Sequence, residues 1–299
     1  MIPRDPCRQP KVRTKVSVRQ LPCSFTNMKQ KWTGERLETF VYNETAIEHL
    51  HRYAIALNYV KDKVVLDIAC GEGYGSNLLA DLARSVAGVD IDSATITQAR
   101  NKYTKTNLKF SEGSVEQIPS PDHAFDVVVS FETLEHITEH EKMFHEIKRV
   151  LKPGGLLIVS TPEKKYYSDL PKNSNPFHRK ELYETQFREL VGRFFCHYFC
   201  FYQTLAVSSI ALVETEGRVK IFEGNYTAIL PKNNIEPVYL IAVASDSEID
   251  KPVSSLFLDK SMLRNALENR ERMLKNSWSY RTGSFLLFPL KLIRSAFGR

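Results

Sequence analysis

Long hydrophobic runs are missing from this sequence. Although 42% of its 299 residues are hydrophobic, no stretch approaches the ~20 consecutive apolar residues that a membrane-spanning helix requires. The basic start of the chain also lacks the apolar core of a secretory signal. Together these absences predict a globular protein of the cytoplasm.

Cysteine is scarce, and its spacing fits neither a disulfide framework nor a zinc site. The five cysteines are Cys7, Cys23, Cys70, Cys196 and Cys200. Their number is odd, and the last two, which flank His197, have no second Cys or His pair at zinc spacing. We therefore expect reduced core thiols and no metal site.

Charge is unevenly distributed along the chain. The formal net charge of +6 comes largely from the two ends, which read "RQPKVRTKVSVRQ" and "LKLIRSAFGR". Residues 1–33 show no sustained period and are predicted to form a flexible basic arm. Basic ends of this kind can attract anionic lipid surfaces, and we expect no nucleic-acid partner.

Apolar periodicity predicts the central fold. Residues 64–68, 126–131 and 155–160 are nearly continuous apolar runs, typical of strands buried on both faces of a parallel sheet. Segments of helical periodicity alternate with these strands. The alternation predicts a doubly wound α/β sheet with right-handed crossovers.

Flanking segments carry their own patterns. Helical spacing of apolar residues predicts helices over 37–59 and 257–275. Residues 217–230 and 237–246 read as strands that pair with each other at an antiparallel edge. The stretch after Pro162 is polar, aromatic and turn-rich, which is typical of a substrate loop.

A glycine-rich turn follows the first strand of the central region. The strand ends at Asp67, and Gly71, Gly73 and Gly75 follow at alternate positions before a helix begins. Glycine permits positive φ and lets a ligand approach the main chain closely. The spacing departs from the G-x-G-x-x-G of dinucleotide enzymes. Because Asp67 suits a cationic ligand better than a pyrophosphate, NAD or nucleotide-sugar binding remains the less favoured alternative.

A second acid follows the next strand. Asp90 ends "AGVDID" at the distance of about 20 residues from the glycine turn at which a carboxylate reaches ribose hydroxyls. Asp92 and Ser93 are better placed than Asp90 to cap the following helix. After the third strand, Ser114 and Val115 lie where a loop would either flank an adenine or simply cap a turn.

These segments together resemble the class I S-adenosylmethionine-dependent methyltransferases. The motifs are "VLDIACGEGYG", "GVDID", "FDVVVSFETLEHI" and "LKPGGLLIVSTP", in that order. The resemblance implies a Rossmann-like seven-stranded sheet, mostly parallel with an antiparallel last strand and helices on both faces. It also implies S-adenosyl-L-methionine as cofactor. The implied domain covers 34–250, with 162–235 as an acceptor-binding elaboration and 251–299 as a helical, membrane-peripheral tail.

The resemblance assigns roles to individual positions. The implied contacts with the methionine and ribose portion are Asp67, Gly71, Gly73, Gly75 and Asp90; those with the adenine are Ile91, Ser114 and Val115. Phe131 would lie near the sulfonium end. Arg52 is a candidate partner of the cofactor carboxylate, with a surface helix residue as the equally weighted alternative.

Methyl transfer is an in-line displacement in which positioning does most of the work. The sulfonium carries its own leaving group, so no metal is required, but a hydroxyl acceptor needs a base. The candidate bases are Glu132, Glu135, His136 and His178. His178, in a loop, is favoured slightly over His136, which could equally be structural. Glu135 could instead complement a helix dipole.

The outer segments indicate the acceptor. The stretches "TGERLETF", "EHLHRYAIAL" and "NPFHRKELYETQFRELVGRFF" resemble bacterial methyltransferases of cell-surface polysaccharide (O-antigen) assembly. This implies a sugar or glycan acceptor, lipid-linked in some cases, a glycosyltransferase partner, and acceptor contacts from Tyr166, Tyr167 and Arg179. Two alternatives stay open: a small-molecule O-methyltransferase for a quinone, lipid or natural product, and a non-catalytic cofactor-binding scaffold in a glycan complex.

The C-terminal segment "SYRTGSFLLFPLKLIRSAFGR" combines apolar and basic residues. Such a segment can lie in an anionic membrane interface. This predicts a peripheral attachment to the inner face of the membrane. A helix packed on the body of the protein is the alternative, and Pro289 interrupts the helical pattern in either case.

Overall fold

The computed structural model describes residues 44–206, 208, 210, 219–224, 226–232, 235–259, 272–280 and 282. Within these ranges the helices are α1 Glu44–Ala56, α2 Tyr74–Leu79, α3 Ser93–Lys102, α4 His140–Val150 and α5 Glu184–Phe194. The strands are β1 Val64–Ile68, β2 Ser85–Asp90, β3 Leu108–Glu112, β4 Phe125–Ser130, β5 Leu151–Pro162, β6 His197–Gln203, β7 Ile221–Gly224, β8 Ile229–Lys232 and β9 Tyr239–Ser245.

Seven of the described strands form one sheet in the order β3-β2-β1-β4-β5-β9-β6. The pairs β1–β2, β1–β4, β2–β3 and β4–β5 are parallel. Strand β9 lies between β5 and β6 and runs antiparallel to both. The predicted mostly parallel, seven-stranded sheet with an antiparallel last strand is confirmed.

Helix α4 shows how the pattern produces a packed layer. Its buried apolar residues Met143, Phe144, Ile147 and Val150 recur at helical spacing and therefore share one face. That face packs against the sheet in the same cluster as Leu157 of β5. Full burial of each such side chain contributes roughly 1.5–3 kcal/mol, so this stripe fixes the helix on the sheet.

Hydrophobic clusters cover both faces of the sheet. Successive residues of one strand point to opposite faces, and accordingly Leu66 belongs to one cluster and Val65 to the other. Helices α4 and α5 cover the first face, and α1, α2 and α3 cover the second. The predicted placement of helices on both faces is confirmed.

The strand pairing predicted outside the central region is wrong. Strand β9 pairs with β5 and β6, while β7 and β8 form a separate two-stranded hairpin. The sequence analysis also missed β6, which reads "HYFCFYQ" and exposes much of its surface as an edge strand. Its continuous aromatic run shows no alternation, so the period of two that identifies a half-buried strand is lacking.

The flanking helices differ from their predicted bounds. Helix α1 ends at Ala56 rather than at residue 59, and the part of its predicted range before residue 44 lies outside the described residues. Of the helix predicted over 257–275, residues 257–259 are not helical, 260–271 lie outside the described residues, and 272–275 are helical.

The two basic ends lie outside the part of the chain that the structure describes, so the arm and tail predictions stay predictions. Of the helices that are described, none has the length and apolar character needed to cross a membrane. Of the described cysteines, Cys70 is buried as expected, but Cys196 is exposed and Cys200 half-buried.

Candidate cofactor and acceptor site

The parallel strands bring the predicted cofactor residues to one edge of the sheet. Because β1, β2 and β4 run in the same direction, the segments that follow them meet at the carboxyl end. In open α/β sheets this edge, where the strand order reverses, is the usual ligand crevice. The glycine turn, Asp90 with Ile91, and Phe131 with Glu132 all follow these strands.

The three glycines of the turn have different physical reasons for lacking a side chain. Gly71 has a φ of 54°, and a Cβ built there would have no described atom within 4 Å. A Cβ on Gly73 would lie 2.6 Å from the Phe110 ring, and one on Gly75 would lie 1.8 Å from the Tyr53 ring. Of the three, therefore, Gly71 offers open main chain to a ligand, and the other two accommodate aromatic rings.

Asp90 holds the turn from the neighbouring strand. Its Oδ2 accepts a hydrogen bond from the Gly71 N–H at 2.9 Å, and its Oδ1 accepts one from the Asp92 N–H at 3.0 Å. The side chain is buried, whereas the next residue, Ile91, is 68% exposed. A carboxylate beside an exposed apolar side chain suits a ribose followed by a base. Asp92 caps α3 through the Ala94 and Thr95 N–H groups, as predicted.

The loop after β3 adjoins Asp90, whose backbone carbonyl accepts a hydrogen bond from the Gly113 N–H at 3.0 Å. Ser114 caps a turn, because its Oγ accepts from the Glu116 N–H at 3.1 Å. Val115 is buried in the core. The capping alternative is thus realised for Ser114, and the predicted adenine contacts of this loop stay predictions.

Asp67 is bound by two hydroxyl groups from other parts of the chain. Ser76 donates to its Oδ2 at 2.6 Å, and the Tyr53 hydroxyl lies 3.4 Å from both carboxylate oxygens. Burial raises the pKa of Asp67 to about 7, although these hydrogen bonds oppose the shift; the charge of Asp90 adds to it. A cation close to Asp67 would therefore favour its ionised form.

Arg52 is fully buried, so the alternative of a surface helix residue is wrong. Its Nε donates to Gln203 Oε1 at 2.9 Å, and its guanidinium lies 4.2 Å above the centre of the Tyr239 ring. Nη2 is 3.7 Å from Glu132 Oε1, too far for a hydrogen bond. Both Nη atoms lack a hydrogen-bond partner among the described residues. Unsatisfied buried donors are costly, and a bidentate carboxylate would satisfy them.

Phe131 and Glu132 follow β4 beside Arg52. The Phe131 ring packs edge-on against Tyr53, with 5.0 Å between ring centroids. Glu132 has a positive φ of 52° and receives a hydrogen bond from Ser160 Oγ at 2.6 Å. A non-glycine residue in this region is strained, and such strain is often found at functional sites.

The two candidate histidines, His136 and His178, lie next to each other. A hydrogen bond between His136 and Phe177, which are 41 residues apart in the chain, joins their segments. Their rings meet edge to face with centroids 5.2 Å apart. His178 Nδ1 is 2.5 Å from Glu181 Oε1, and Asn175 Nδ2 is 3.0 Å from His178 Nε2. His136 Nδ1 is 3.1 Å from the Phe177 carbonyl oxygen. Both imidazoles are therefore oriented by hydrogen bonds.

Glu135 lies in a 3-10 turn, Leu134–His136, and is almost completely buried. Burial, together with the charge of Glu132, raises its pKa well above the usual value. Thr161 Oγ1 donates to its Oε2 at 3.3 Å. Glu135 lies in the first turn of this short 3-10 helix, so the alternative of an acid that complements a helix dipole stays open.

The predicted acceptor residues fall into two groups. The Tyr167 ring stacks on His178 with centroids 5.3 Å apart and also meets Tyr239 at 5.7 Å. Tyr166, by contrast, sits in the π-helical turn Lys165–Asp169 with Lys165 over its ring. Arg179 is exposed, and its backbone N–H donates to the Glu135 carbonyl at 2.7 Å. Tyr167 is therefore the acceptor candidate that the fold joins to both His178 and, through Tyr239, Arg52.

Comparisons with known proteins indicate the class of protein that this chain resembles. Residues 66–159 match the family model described as a methyltransferase domain. A probable S-adenosylmethionine-dependent methyltransferase of Mycolicibacterium smegmatis is 42% identical over 130 residues, which cover 42% of this chain and 49% of that protein. A fatty-acid O-methyltransferase of the same organism is 31% identical over 134 residues, 42% of this chain and 48% of that protein.

The fold has a counterpart among solved structures. One solved structure is the complex of the Haloferax volcanii Trm112 methyltransferase activator with a methyltransferase. A chain of that complex is 19% identical to this one, with a TM-score of 0.50, and the match covers 70% of this chain and 94% of that chain. Residues 66–159 are therefore similar to a methyltransferase domain, and the Mycolicibacterium smegmatis relative that matches this chain is named as a probable S-adenosylmethionine-dependent enzyme. The chain spans about half the length of the curated relatives it matches.

The residues at the sheet edge fit S-adenosylmethionine. Gly71 offers an open main-chain face, Asp90 a carboxylate, and Ile91 an exposed apolar surface. The unsatisfied Nη atoms of Arg52 match a carboxylate. These features correspond to the amino-acid, ribose and base portions of the cofactor.

Proposed function

We propose that this chain transfers a methyl group from S-adenosylmethionine to an oxygen atom of a small-molecule acceptor. The observation that carries the proposal is a continuous series of side-chain contacts between a cofactor-side cation and an imidazole pair. The series runs Arg52–Tyr239–Tyr167–His178–His136. Arg52 Cζ lies 4.2 Å from the Tyr239 ring centroid, and the successive ring centroids are then 5.7, 5.3 and 5.2 Å apart. It unites a carboxylate partner for the cofactor with groups that can accept a proton.

The residues of this chain would bind and orient the cofactor. Arg52 would hold the cofactor carboxylate, Asp90 the ribose hydroxyls and Ile91 the adenine. Bound S-adenosylmethionine supplies a methyl group on a cationic sulfur. Around it the protein excludes water, since Phe131 and Tyr53 are both at most 6% exposed, and a dry, preorganised site favours a reaction in which charge is neutralised.

An acceptor hydroxyl must lose its proton, and an imidazole is suited to take it near neutral pH. The His178 side chain is 7% exposed, and both of its ring nitrogens have hydrogen-bond partners. The His136 side chain is 29% exposed. Glu132 is tied to Arg52 and Ser160. We therefore assign proton acceptance to His136, with His178 as its positioning neighbour, reversing the slight preference drawn from the sequence.

A lipid acceptor is the class we favour. The relative named as a fatty-acid O-methyltransferase supports an acceptor of this kind. The half-buried ring of Tyr167, which stacks on His178 and packs against the buried Tyr239, provides an apolar surface for it. A sugar hydroxyl is the second candidate, favoured by the exposed Arg179 next to the His178–Tyr167 stack, a combination that sugars and sugar phosphates use.

The test is a transfer assay with methyl-labelled S-adenosylmethionine. The purified full chain is offered separate panels of fatty acids, quinols and lipid-linked sugars, and extracted products are counted. We expect label in the fatty-acid or quinol panel. With quinols, whose hydroxyl must lose its proton, His136→Ala should lose turnover with cofactor affinity retained, whereas a fatty-acid carboxylate is already ionised near neutral pH and needs no base. Label only in sugars would replace the lipid acceptor with the second candidate. Cofactor binding without transfer to any panel would favour the scaffold alternative, and absence of cofactor binding would reject the proposal.

A further inference from the structure

We propose that Glu135, His136 and His178 bind a divalent transition-metal ion, with zinc as the first candidate. Each residue offers one ligand atom, and these atoms all lie within 4.8 Å of one another. An ion with bonds of about 2.0–2.2 Å holds its ligands ~3.5 Å apart. Side-chain rotations that move the ligand atoms by about an ångström would therefore close the cluster around an ion.

Both imidazoles already have the hydrogen bonds that metal-ligating histidines make. A ligating histidine usually donates its second ring N–H to a carboxylate or a backbone carbonyl. Here His178 Nδ1 meets the Glu181 carboxylate at 2.5 Å, and His136 Nδ1 meets the Phe177 carbonyl at 3.1 Å. These contacts assign the proton to Nδ1 in both rings and leave Nε2 as the ligand atom. His136 Nε2 is 3.9 Å from Glu135 Oε1.

The backbone holds the three ligands together without an ion. The Glu135 carbonyl accepts hydrogen bonds from the N–H groups of Arg179 at 2.7 Å and Lys180 at 3.1 Å. These bonds fix the loop that carries His178 on the turn that carries Glu135 and His136. Asn175 Nδ2, 3.0 Å from His178 Nε2, is the group that an ion would displace.

Charge and donor chemistry indicate the kind of ion. Glu135 is only 1% exposed, and a buried carboxylate is stabilised by a cation beside it. Two imidazole nitrogens with one carboxylate oxygen suit zinc, iron, cobalt or nickel rather than calcium or magnesium. Three protein ligands leave positions open, the arrangement of catalytic rather than structural zinc.

An ion here would change how the acceptor is activated. This step rests on the proposed function. A hydroxyl that reaches the ion would have its pKa lowered and would release its proton to solvent, which replaces proton acceptance by His136, since His136 Nε2 would then ligate the ion. No metal is predicted from the sequence, because the methyl donor itself needs none. The metal-binding claim stands on the geometry of the three side chains and is independent of the acceptor.

The experiment measures metal binding directly. Untagged full chain, treated with a chelator and dialysed, is titrated with zinc chloride by calorimetry and with cobalt chloride by visible absorption. We expect one ion per chain and d–d bands of a low-symmetry cobalt site. His136→Gln and His178→Gln should each lower the affinity for zinc at least tenfold. The positioning variant Glu181→Gln should lower it by about 10–100-fold. His197→Gln, on the exposed end of β6, is the matched control and should bind as the parent does.

Two results would overturn the proposal: no saturable binding of either ion by the parent chain, or parent-like binding by the His136→Gln/His178→Gln double variant, with folding of each protein verified by circular dichroism. The same samples are titrated with S-adenosylmethionine. Cofactor binding without zinc binding removes the metal site alone, whereas zinc binding without cofactor binding removes the proposed function and leaves the metal site.

Discussion

The carboxylate of Asp90 accepts a hydrogen bond from the backbone N–H of Gly71 at 2.9 Å. This bond joins the end of β2 to the turn that follows β1. Gly71 is the glycine of that turn whose missing side chain faces open space. The acid expected to hold the ribose therefore also fixes the main chain expected to hold the rest of the cofactor.

Replacing Asp90 with alanine should lower the affinity for S-adenosylmethionine by about 10–100-fold, because hydrogen bonds to a charged group contribute roughly 1.5–3 kcal/mol. Calorimetric titration measures the change. Asp92→Ala is the matched control: it removes the cap of α3 at a cost of about 1 kcal/mol in stability and should leave affinity unchanged. Equal affinities for Asp90→Ala and the parent would reject the ribose assignment.

Replacing Arg52 with methionine tests its pairing with the cofactor carboxylate. Loss of a charge-assisted contact should lower the affinity for S-adenosylmethionine by about 10–100-fold. Binding of 5′-methylthioadenosine, which lacks that carboxylate, should change less than twofold. Arg188→Met, which removes a half-exposed arginine paired with Glu184, serves as the control. If the affinities for both ligands fall equally, Arg52 does not contact the cofactor carboxylate and supports the site only indirectly.

Gly75→Ala and Gly71→Ala should differ sharply in stability. The first places a Cβ 1.8 Å from the Tyr53 ring, which is packed between Tyr74 and Phe131, so overpacking should lower the free energy of unfolding by about 3 kcal/mol or more. The second meets open space at positive φ and should cost ~1 kcal/mol. Urea unfolding measures both.

A double-mutant cycle checks the cause of the Gly75 effect. Adding Tyr53→Ala removes the ring that the new methyl group meets, so the double variant should be more stable than the sum of the single effects predicts. Strict additivity would show that Tyr53 does not enforce the glycine.

The raised pKa of Asp67 predicts a pH dependence of stability. An unfolded aspartate titrates near pH ~3.9, whereas Asp67 titrates at about 7 when folded. Between these values the folded state keeps a proton that the unfolded chain has lost. The free energy of unfolding must therefore fall as pH rises from about 4 to about 7, by at most ~4 kcal/mol from this group.

Asp67→Asn removes this titration. The difference in Tm, variant minus parent, should therefore grow between pH 4.5 and pH 7.5, as followed by circular dichroism in buffers of constant ionic strength. A difference that does not vary with pH would mean that Asp67 is ionised throughout this range.

Local signals made much of the fold predictable. The alternation of buried strands with helices, the glycine turn and the cap at Asp92 are each encoded within a few residues, through side-chain period, allowed φ or a side-chain acceptor. The same local reading failed at β6, where an aromatic edge strand has no clear period, and at β9, whose partners are chosen by the whole sheet.

The strand–helix order and the placement of Asp67, the glycines and Asp90 near strand ends could be read from the sequence, because they depend on short-range periodicity. Three relationships came from the folded chain alone. Arg52 is buried, and two of its nitrogens have no hydrogen-bond partner among the described residues. Tyr53 packs against Gly75, and His136 and His178 share one site with Glu135. Those relationships join residues far apart in the chain, and packing rather than local pattern brings them into contact.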